Sequence, residues 1–177
     1  GTTPAHIAVM AEAVAQAPGD FLVNLVPDLE SAAEADQEAA VGRSDLAEKL
    51  ADGKFVIAVE MDPPRGLSIH KRLAGASLLA DAGADVIDVA DSPMARMRMS
   101  PWAVCHLIQS QFAIETTLHF PTRGRNLLRV QGDLLAAHAM NIRNVFVVMG
   151  DPTEIGDYPD ASDSYDLVPT GLIRLIK

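Results

Sequence analysis

The chain has 177 residues, and 14 basic against 24 acidic side chains give it a formal net charge of −10. This balance argues against binding to nucleic acid or to an anionic membrane, since both attract clustered positive charge. No apolar run approaches the roughly 18 residues of a membrane span. The single cysteine excludes an internal disulfide and favours a reduced, cytoplasmic location.

The first 43 residues predict a helix followed by a linker. Thr3 suits the N-cap of a helix over residues 1–17, and Pro4 suits its first turn, where a missing N–H is tolerated. Residues 18–43 predict an interdomain linker, because residues 31–40 are rich in alanine and acids and have no large apolar side chain. Since no methionine opens the sequence, we expect it to be the interior of a longer protein.

The remaining residues, 44–177, alternate between β-type and helical patterns. Helices are predicted at 68–82, 101–111 and 126–140, and Gly132 predicts a break in the last of them. The predicted strands begin 30, 29 and 30 residues apart and cover residues 55–59, 85–89, 114–118 and 144–148.

This regular alternation is typical of a parallel sheet built from βαβ crossovers. A doubly wound sheet and a (β/α)8 TIM barrel are both compatible with it, and the regular period favours the barrel. We therefore predict an α/β fold that holds the first four β/α units of a TIM barrel, preceded by a helix and a linker. The apolar runs carry few charges, which predicts strands covered on both faces.

Polar side chains follow each of the four predicted strands. They are Glu60, Asp91, His119 and Asp151, in chain order. Because ligands of parallel α/β folds bind at the carboxyl ends of strands, we expect these groups to meet on one rim. One such residue alone is more often a turn-former, but the four together predict a site for acid–base chemistry.

Other polar patterns predict structure rather than chemistry. Neither a G-x-G-x-x-G fingerprint nor a P-loop occurs, and the histidines lack the spacing of metal ligands, so no metal site is predicted. Residues 94–99 interleave methionine and arginine and predict loop packing. Asp157, Asp160, Asp163 and Asp166 recur every third residue and predict a turn-rich acidic loop, not a calcium site.

Several motifs form an ordered set along residues 44–177. They are residues 59–66, 91–93, 118–120 with 125–126, 150–152, 156–159 and 171–176. This set resembles the methylenetetrahydrofolate reductase family, and most of all the reductase part of bacterial bifunctional homocysteine S-methyltransferase/methylenetetrahydrofolate reductases. The resemblance implies that residues 44–177 are the N-terminal half of a reductase domain.

The resemblance also implies a reaction, cofactors and site residues. A nicotinamide, NADH or NADPH, would reduce FAD, and the flavin would reduce 5,10-methylenetetrahydrofolate to 5-methyltetrahydrofolate in one-carbon and methionine metabolism. Glu60 matches the catalytic acid that protonates a folate nitrogen, and we expect a buried strand end to keep its carboxyl protonated. Asp151 matches a catalytic aspartate near the flavin and the pterin. The positions that match cofactor-binding residues are His119, Gly150, Asp151, Tyr165 and Asp166.

The N-terminal segment suggests a second domain. Residues 1–7 are similar to the segment that follows the zinc-binding cysteine pair of homocysteine S-methyltransferases. This similarity implies that residues 1–17 are the last helix of such a domain, and that zinc would bind only in the missing upstream part.

Alternative functions stay open at this point. The 177-residue chain alone is expected to be inactive. It could be a non-catalytic half-barrel that assembles with another half, for instance as a homo-oligomer, because a half-barrel has unpaired strand edges. It could also belong to a TIM-barrel enzyme with another substrate, because a fold does not determine a function.

Overall fold

The computed structural model describes residues 43–177, so the predicted helix over 1–17 and the predicted linker over 18–43, apart from Arg43, lie outside the described residues. Helices and strands alternate through this part of the chain. They are α1 (Asp45–Ala51), β1 (Ala58–Met61), α2 (His70–Asp81), β2 (Val86–Val89), α3 (Pro101–Gln111), β3 (Glu115–Pro121), α4 (Leu127–Ala139), β4 (Asn144–Val148) and α5 (Pro169–Ile176), with 3-10 turns at Pro93–Ala95 and Thr153–Ile155. None of the helices described has the length and apolarity that a membrane crossing needs.

The four strands form one parallel sheet in the order β1-β2-β3-β4. Each strand therefore pairs with the next strand of the sequence. A doubly wound sheet would reverse its strand order at a switch point, whereas a barrel adds each strand on the same side. The predicted α/β architecture of a partial TIM barrel is confirmed, and the doubly wound alternative does not fit this strand order.

The hydrophobic core lies between the sheet and one layer of helices. Successive residues of a strand point to opposite faces, so every second residue reaches this core. The buried strand residues on this side are Met61, Ile87, Val89, Leu118 and Phe120, and they pack with Ala76 of α2, Trp102, Val104, Cys105 and Ile108 of α3, Val130 and Ala137 of α4, and Leu172 of α5.

The opposite face of the sheet is not covered by helices within the described residues, and we call it the open face. Glu60 and Phe146 lie on it and are exposed, and Asp88 and His119 are half-buried. The prediction that the strands are covered on both faces is therefore wrong for this part of the chain. The apolar runs did not reveal that Glu60, Asp88 and His119 alternate with core residues and lie together on the open face.

The strand boundaries differ most from the prediction at the start of β1 and at the end of β3. The first strand begins at Ala58 rather than at residue 55, because the Asp85 N–H donates to the Ile57 carbonyl at 2.9 Å and pairing with β2 begins only there. Phe55 precedes that point and is 89% exposed. β3 extends to Pro121 rather than ending at 118, because β4 pairs with it as far as the partners Pro121 and Val148.

The predicted break at Gly132 is also wrong, since α4 continues through it. A glycine within a helix costs only about 1 kcal/mol relative to alanine. The next residue, Asp133, accepts hydrogen bonds from the side chains of Arg125 and Arg129, which holds this turn of the helix in place.

Helix α1, which the sequence patterns did not predict, crosses the N-terminal end of the sheet. Glu115 of β3 accepts hydrogen bonds from the first two amides of α1, at 2.9 and 3.0 Å. At the other end of the helix, the Lys49 ammonium lies 2.7 Å from Asp85 beside β2. The Ile57 N–H and Lys49 hold the pKa of Asp85 below its usual range, so this ion pair is present at neutral pH. A helix of seven residues is too short to be stable alone, and these contacts hold it.

The only cysteine of the chain provides a test of the core. Cys105 is fully buried, and burial raises the pKa of its thiol to about 12. Since the thiolate is the reactive form, we expect Cys105 to resist labelling by an aromatic disulfide reagent at mildly alkaline pH in the native protein. In denaturing urea it should react at the rate of a free thiol. Rapid labelling without urea would contradict the described packing of α3 against the sheet.

Candidate functional site

The candidate site is the carboxyl-terminal part of the open face. The register places Glu60 of β1 beside Asp88 of β2, and Asp88 beside Thr117 of β3. Two residues further along β3, His119 lies beside Phe146 of β4. Neighbouring strands are about 4.8 Å apart and a strand rises about 3.3 Å per residue, so Glu60 and His119, two strands and two residues apart in the register, are separated by about 12 Å. The open face thus presents an acid on one side and an aromatic pair on the other.

The aromatic pair offers a surface for a planar ligand. The ring centroids of His119 and Phe146 are 5.0 Å apart, and the planes are tilted by 50°. Phe146 is 54% exposed although it lies within a strand. An exposed aromatic ring within a sheet is a suitable partner for stacking with a flat heterocycle.

Glu60 differs from its expected environment. Its side chain is exposed, whereas we expected a buried and protonated carboxyl. The reason is the alternation along β1: Met61 points into the core, and Glu60 therefore points to the uncovered face. Within the described residues no element covers it.

The fourth strand ends at Val148 and is followed by Gly150 and Asp151. Gly150 has a φ of +92°, and a Cβ there would lie 3.1 Å from Arg123 and from Pro121 at the end of β3. Glycine suits both the left-handed conformation and the restricted space, since a side chain there would be strained and would crowd its neighbours. Asp151 follows directly, and its Oδ2 accepts a hydrogen bond from the Met94 N–H at 2.6 Å. Its Oδ1 has no hydrogen bond among the described residues.

Met94 belongs to the segment between β2 and α3, residues 90–100, which we call loop 2. Ser92, Met94 and Ala95 have φ values of +47°, +58° and +51°. Such left-handed conformations cost about 1–2 kcal/mol for a residue with a side chain. They persist where surrounding contacts hold them, and they often occur at functional sites. Loop 2 is therefore a strained segment beside Asp151.

A second aspartate of the loop after β4 holds the same segment. Asp157 Oδ2 accepts hydrogen bonds from the Met97 N–H at 2.9 Å and from Arg65 Nη2 at 2.6 Å. The Asp157 N–H donates to the Ala95 carbonyl at 3.2 Å. The Met97 N–H and the Arg65 guanidinium hold the pKa of Asp157 below its usual range, so the carboxylate is ionised at neutral pH.

Asp91, predicted to lie on the rim with the other acids, faces away from the open face. It pairs with Arg125 at 2.9 Å, and the two side chains are only 12% and 16% exposed. Arg125 also pairs with Asp133 of α4 at 3.1 Å and lies over the rings of Trp102 and Phe120, 5.0 and 5.2 Å from their centroids. Asp91 is thus part of a buried ion-pair network behind the rim.

Tyr165 and Asp166 lie apart from the open face as well. Tyr165 forms a backbone bridge with Arg125, and its side chain is 47% exposed. Asp166 Oδ2 accepts a hydrogen bond from the Leu127 N–H at 2.8 Å, at the beginning of α4. Of the six predicted site residues, Glu60 and His119 share the open face, Gly150 and Asp151 lie at the end of β4, and these two lie on the loop beside α4.

Three cavities among the described residues lie outside this site. One of about 270 Å³ is at the base, lined by Asp45, Glu115 and Asn144 among others. Another of about 420 Å³ lies between α3 and α4, lined by Trp102 and Asp133 among others. A third, of about 390 Å³, is lined by Pro121 and Arg123 among others. Asp91 lines the second and the third cavity, but Glu60, His119 and Asp151 line none of the three, so the open face is defined by its side chains and not by an enclosed cavity.

Comparison with known proteins adds a family to this geometry. The sequence model of a family described as methylenetetrahydrofolate reductase matches residues 45–177. The match begins at α1 and covers every element of the described structure. No curated protein shows a significant match.

Proposed function

The chain belongs to the methylenetetrahydrofolate reductase family, and on that premise we propose that the native polypeptide carrying it uses FAD and a nicotinamide to reduce 5,10-methylenetetrahydrofolate to 5-methyltetrahydrofolate. The observation that carries the proposal is the open face, where the exposed acid Glu60 and an aromatic pair, the half-buried His119 and the exposed Phe146, occur together at the carboxyl ends of parallel strands.

The residues of the open face fit a flavin. The His119–Phe146 pair provides aromatic surface for a planar ring, and Asp151 Oδ1 provides an acceptor at the end of β4. FAD, when bound, supplies a hydride carrier between the nicotinamide and the folate. Gly150 lets the backbone before Asp151 run close to Arg123 and Pro121 at the end of β3.

Two carboxyl groups would act on the folate. We assign Glu60 as the general acid: it donates a proton to a ring nitrogen, the carbon–nitrogen bond of the five-membered ring breaks, and the bonding electrons remain on that nitrogen. The one-carbon unit then becomes a cationic iminium. Asp151, as a carboxylate, would stabilise this positive charge.

The two half-reactions test this proposal separately. We expect NADH or NADPH to bleach the visible absorbance of flavin in the anaerobic native polypeptide, and methylenetetrahydrofolate to restore it. Tetrahydrofolate, which lacks the one-carbon unit, serves as the control and should restore nothing. Bleaching without recovery would contradict the folate assignment and favour another substrate. Absence of bound flavin, or no bleaching with either nicotinamide, would favour a non-catalytic assembly unit.

The other implications of the resemblance stay predictions. Residues 1–17 lie outside the described residues, and the family match begins at residue 45. The methyltransferase origin of that segment, and the zinc of its upstream part, therefore stay predictions. The homo-oligomer and the cytoplasmic location stay predictions as well.

A further inference from the structure

Asp157 connects three of the loops that follow strands of the sheet. Its own loop follows β4, its partner Arg65 lies in the loop after β1, and its partners Ala95 and Met97 lie in loop 2. Its carboxylate and its amide both take part, so one residue fixes loop 2 at two points. These bonds join residues 60 and 92 positions apart in the sequence.

The neighbouring glycine brings the two loops close together. A Cβ at Gly156 would lie 2.1 Å from the Ala95 carbonyl oxygen, a separation at which the backbone must move. Gly156 therefore allows the loop after β4 to approach loop 2 closely. This approach brings the amide of Asp157 within hydrogen-bond distance of Ala95.

Loop 2 carries the N–H that contacts Asp151. The strained part of loop 2 is held by two aspartates. Asp151 accepts a hydrogen bond from the Met94 N–H, and Asp157 bonds to the backbone of Ala95 and Met97. If the second attachment is lost, the left-handed residues relax to ordinary conformations and the Met94 N–H moves away from Asp151. The orientation of the Asp151 carboxylate thus depends on Asp157.

We propose that Asp157 is a positioning residue, which holds loop 2 in the strained conformation in which the Met94 N–H orients the Asp151 carboxylate. The geometric part of this inference stands on the described contacts alone. Its consequence for folate reduction rests on the proposed function, in which Asp151 acts on the substrate.

The test uses amide exchange at methionines, because three of the seven methionines of the chain lie in loop 2. In the native polypeptide labelled with 15N-methionine, we expect Asp157→Ala to accelerate exchange of the Met97 amide and also of the Met94 amide, by about tenfold or more. Asp157→Asn keeps an acceptor for Met97 but loses the charge that pairs with Arg65, so it should give a smaller acceleration. Asp160→Ala is the matched control, because this exposed acid of the same loop has no hydrogen bond among the described side chains.

A second variant disturbs the same contact by another route. Gly156→Ala leaves the carboxylate intact but forces the two loops apart, and it should accelerate exchange at Met94 as Asp157→Ala does. Trypsin gives an independent readout, since the peptide bond after the exposed Arg96 is the one whose N–H donates to Asp157. Both variants should be cleaved there faster than the control.

The outcomes separate this inference from the proposed function. Acceleration at Met97 without acceleration at Met94 would overturn it, because Asp157 would then act only locally. Equal exchange in Asp157→Ala and Asp160→Ala would also overturn it. Neither result depends on folate or flavin, whereas failure of the half-reactions in the unmodified protein would count only against the proposed function.

Discussion

Replacing Arg125 by alanine should lower the free energy of unfolding by about 3–5 kcal/mol, the range for removing one partner of a buried ion pair. The guanidinium bonds to Asp91, to Asp133 and to the Pro121 carbonyl, at 2.9, 3.1 and 3.1 Å. Without it, two carboxylates with 12% and 14% side-chain exposure lose a positive partner. The loss also removes the cation from the faces of Trp102 and Phe120.

Arg129→Ala is the matched control for this variant. Arg129 pairs with the same Asp133, but its side chain is 64% exposed, so its removal should have a much smaller effect. Urea unfolding followed by far-ultraviolet circular dichroism measures both variants without relying on Trp102, which contacts Arg125. If both variants lost the same free energy of unfolding, the burial of the Arg125 ion pairs would not be the source of their contribution to stability.

Glu60→Gln should reduce the rate of folate reduction by about 10²- to 10⁴-fold, the usual contribution of a general acid. Glutamine has nearly the same shape but cannot release a proton to the folate nitrogen. Reduction of the flavin by the nicotinamide needs no such proton, so that half-reaction should keep its rate. Single-turnover absorbance measurements in the native polypeptide distinguish the two steps.

The control for Glu60→Gln is the same substitution at Glu48, an exposed glutamate of α1 at the opposite end of the sheet. It changes the net charge equally and should leave both half-reactions unchanged. If Glu60→Gln still reduced the folate at the normal rate, the general acid would be another group. If it slowed both half-reactions equally, the substitution would have disturbed flavin binding rather than proton transfer.

The four strands and the helices α2, α3 and α4 could be read in order from the sequence because they depend on local patterns, whereas α1 and α5 were not predicted. The period of about 30 residues reflects one strand and one helix, and Ser100 with Pro101 indicated the start of α3 at Pro101. A signal for α1 was also present, since Ser44 caps it and Asp45 and Glu48 lie in its first turn. Its seven residues were too few for a periodic apolar face.

The parts of the site that the sequence did not predict depend on distant partners. The bond between Arg65 and Asp157 joins residues 92 positions apart, so no local pattern indicates it. The left-handed backbone of Met94 and Ala95 has no sequence signal, because left-handed positions are normally expected at glycine or asparagine. The apolar runs likewise could not tell which strand residues face helices and which lie on the open face.

The position of α1 at the base of the sheet has a consequence for how such a protein can diverge. The anchors of α1, Glu115 and the Lys49–Asp85 pair, lie at the amino ends of the strands, whereas Glu60 and Asp151 lie toward the carboxyl ends. We therefore expect substitutions at the base to alter thermal stability without altering chemistry, and the loops at the other end to accept changes in specificity while the base preserves the fold. Contacts that stabilise the fold and residues that determine specificity thus lie at opposite ends of the same four strands.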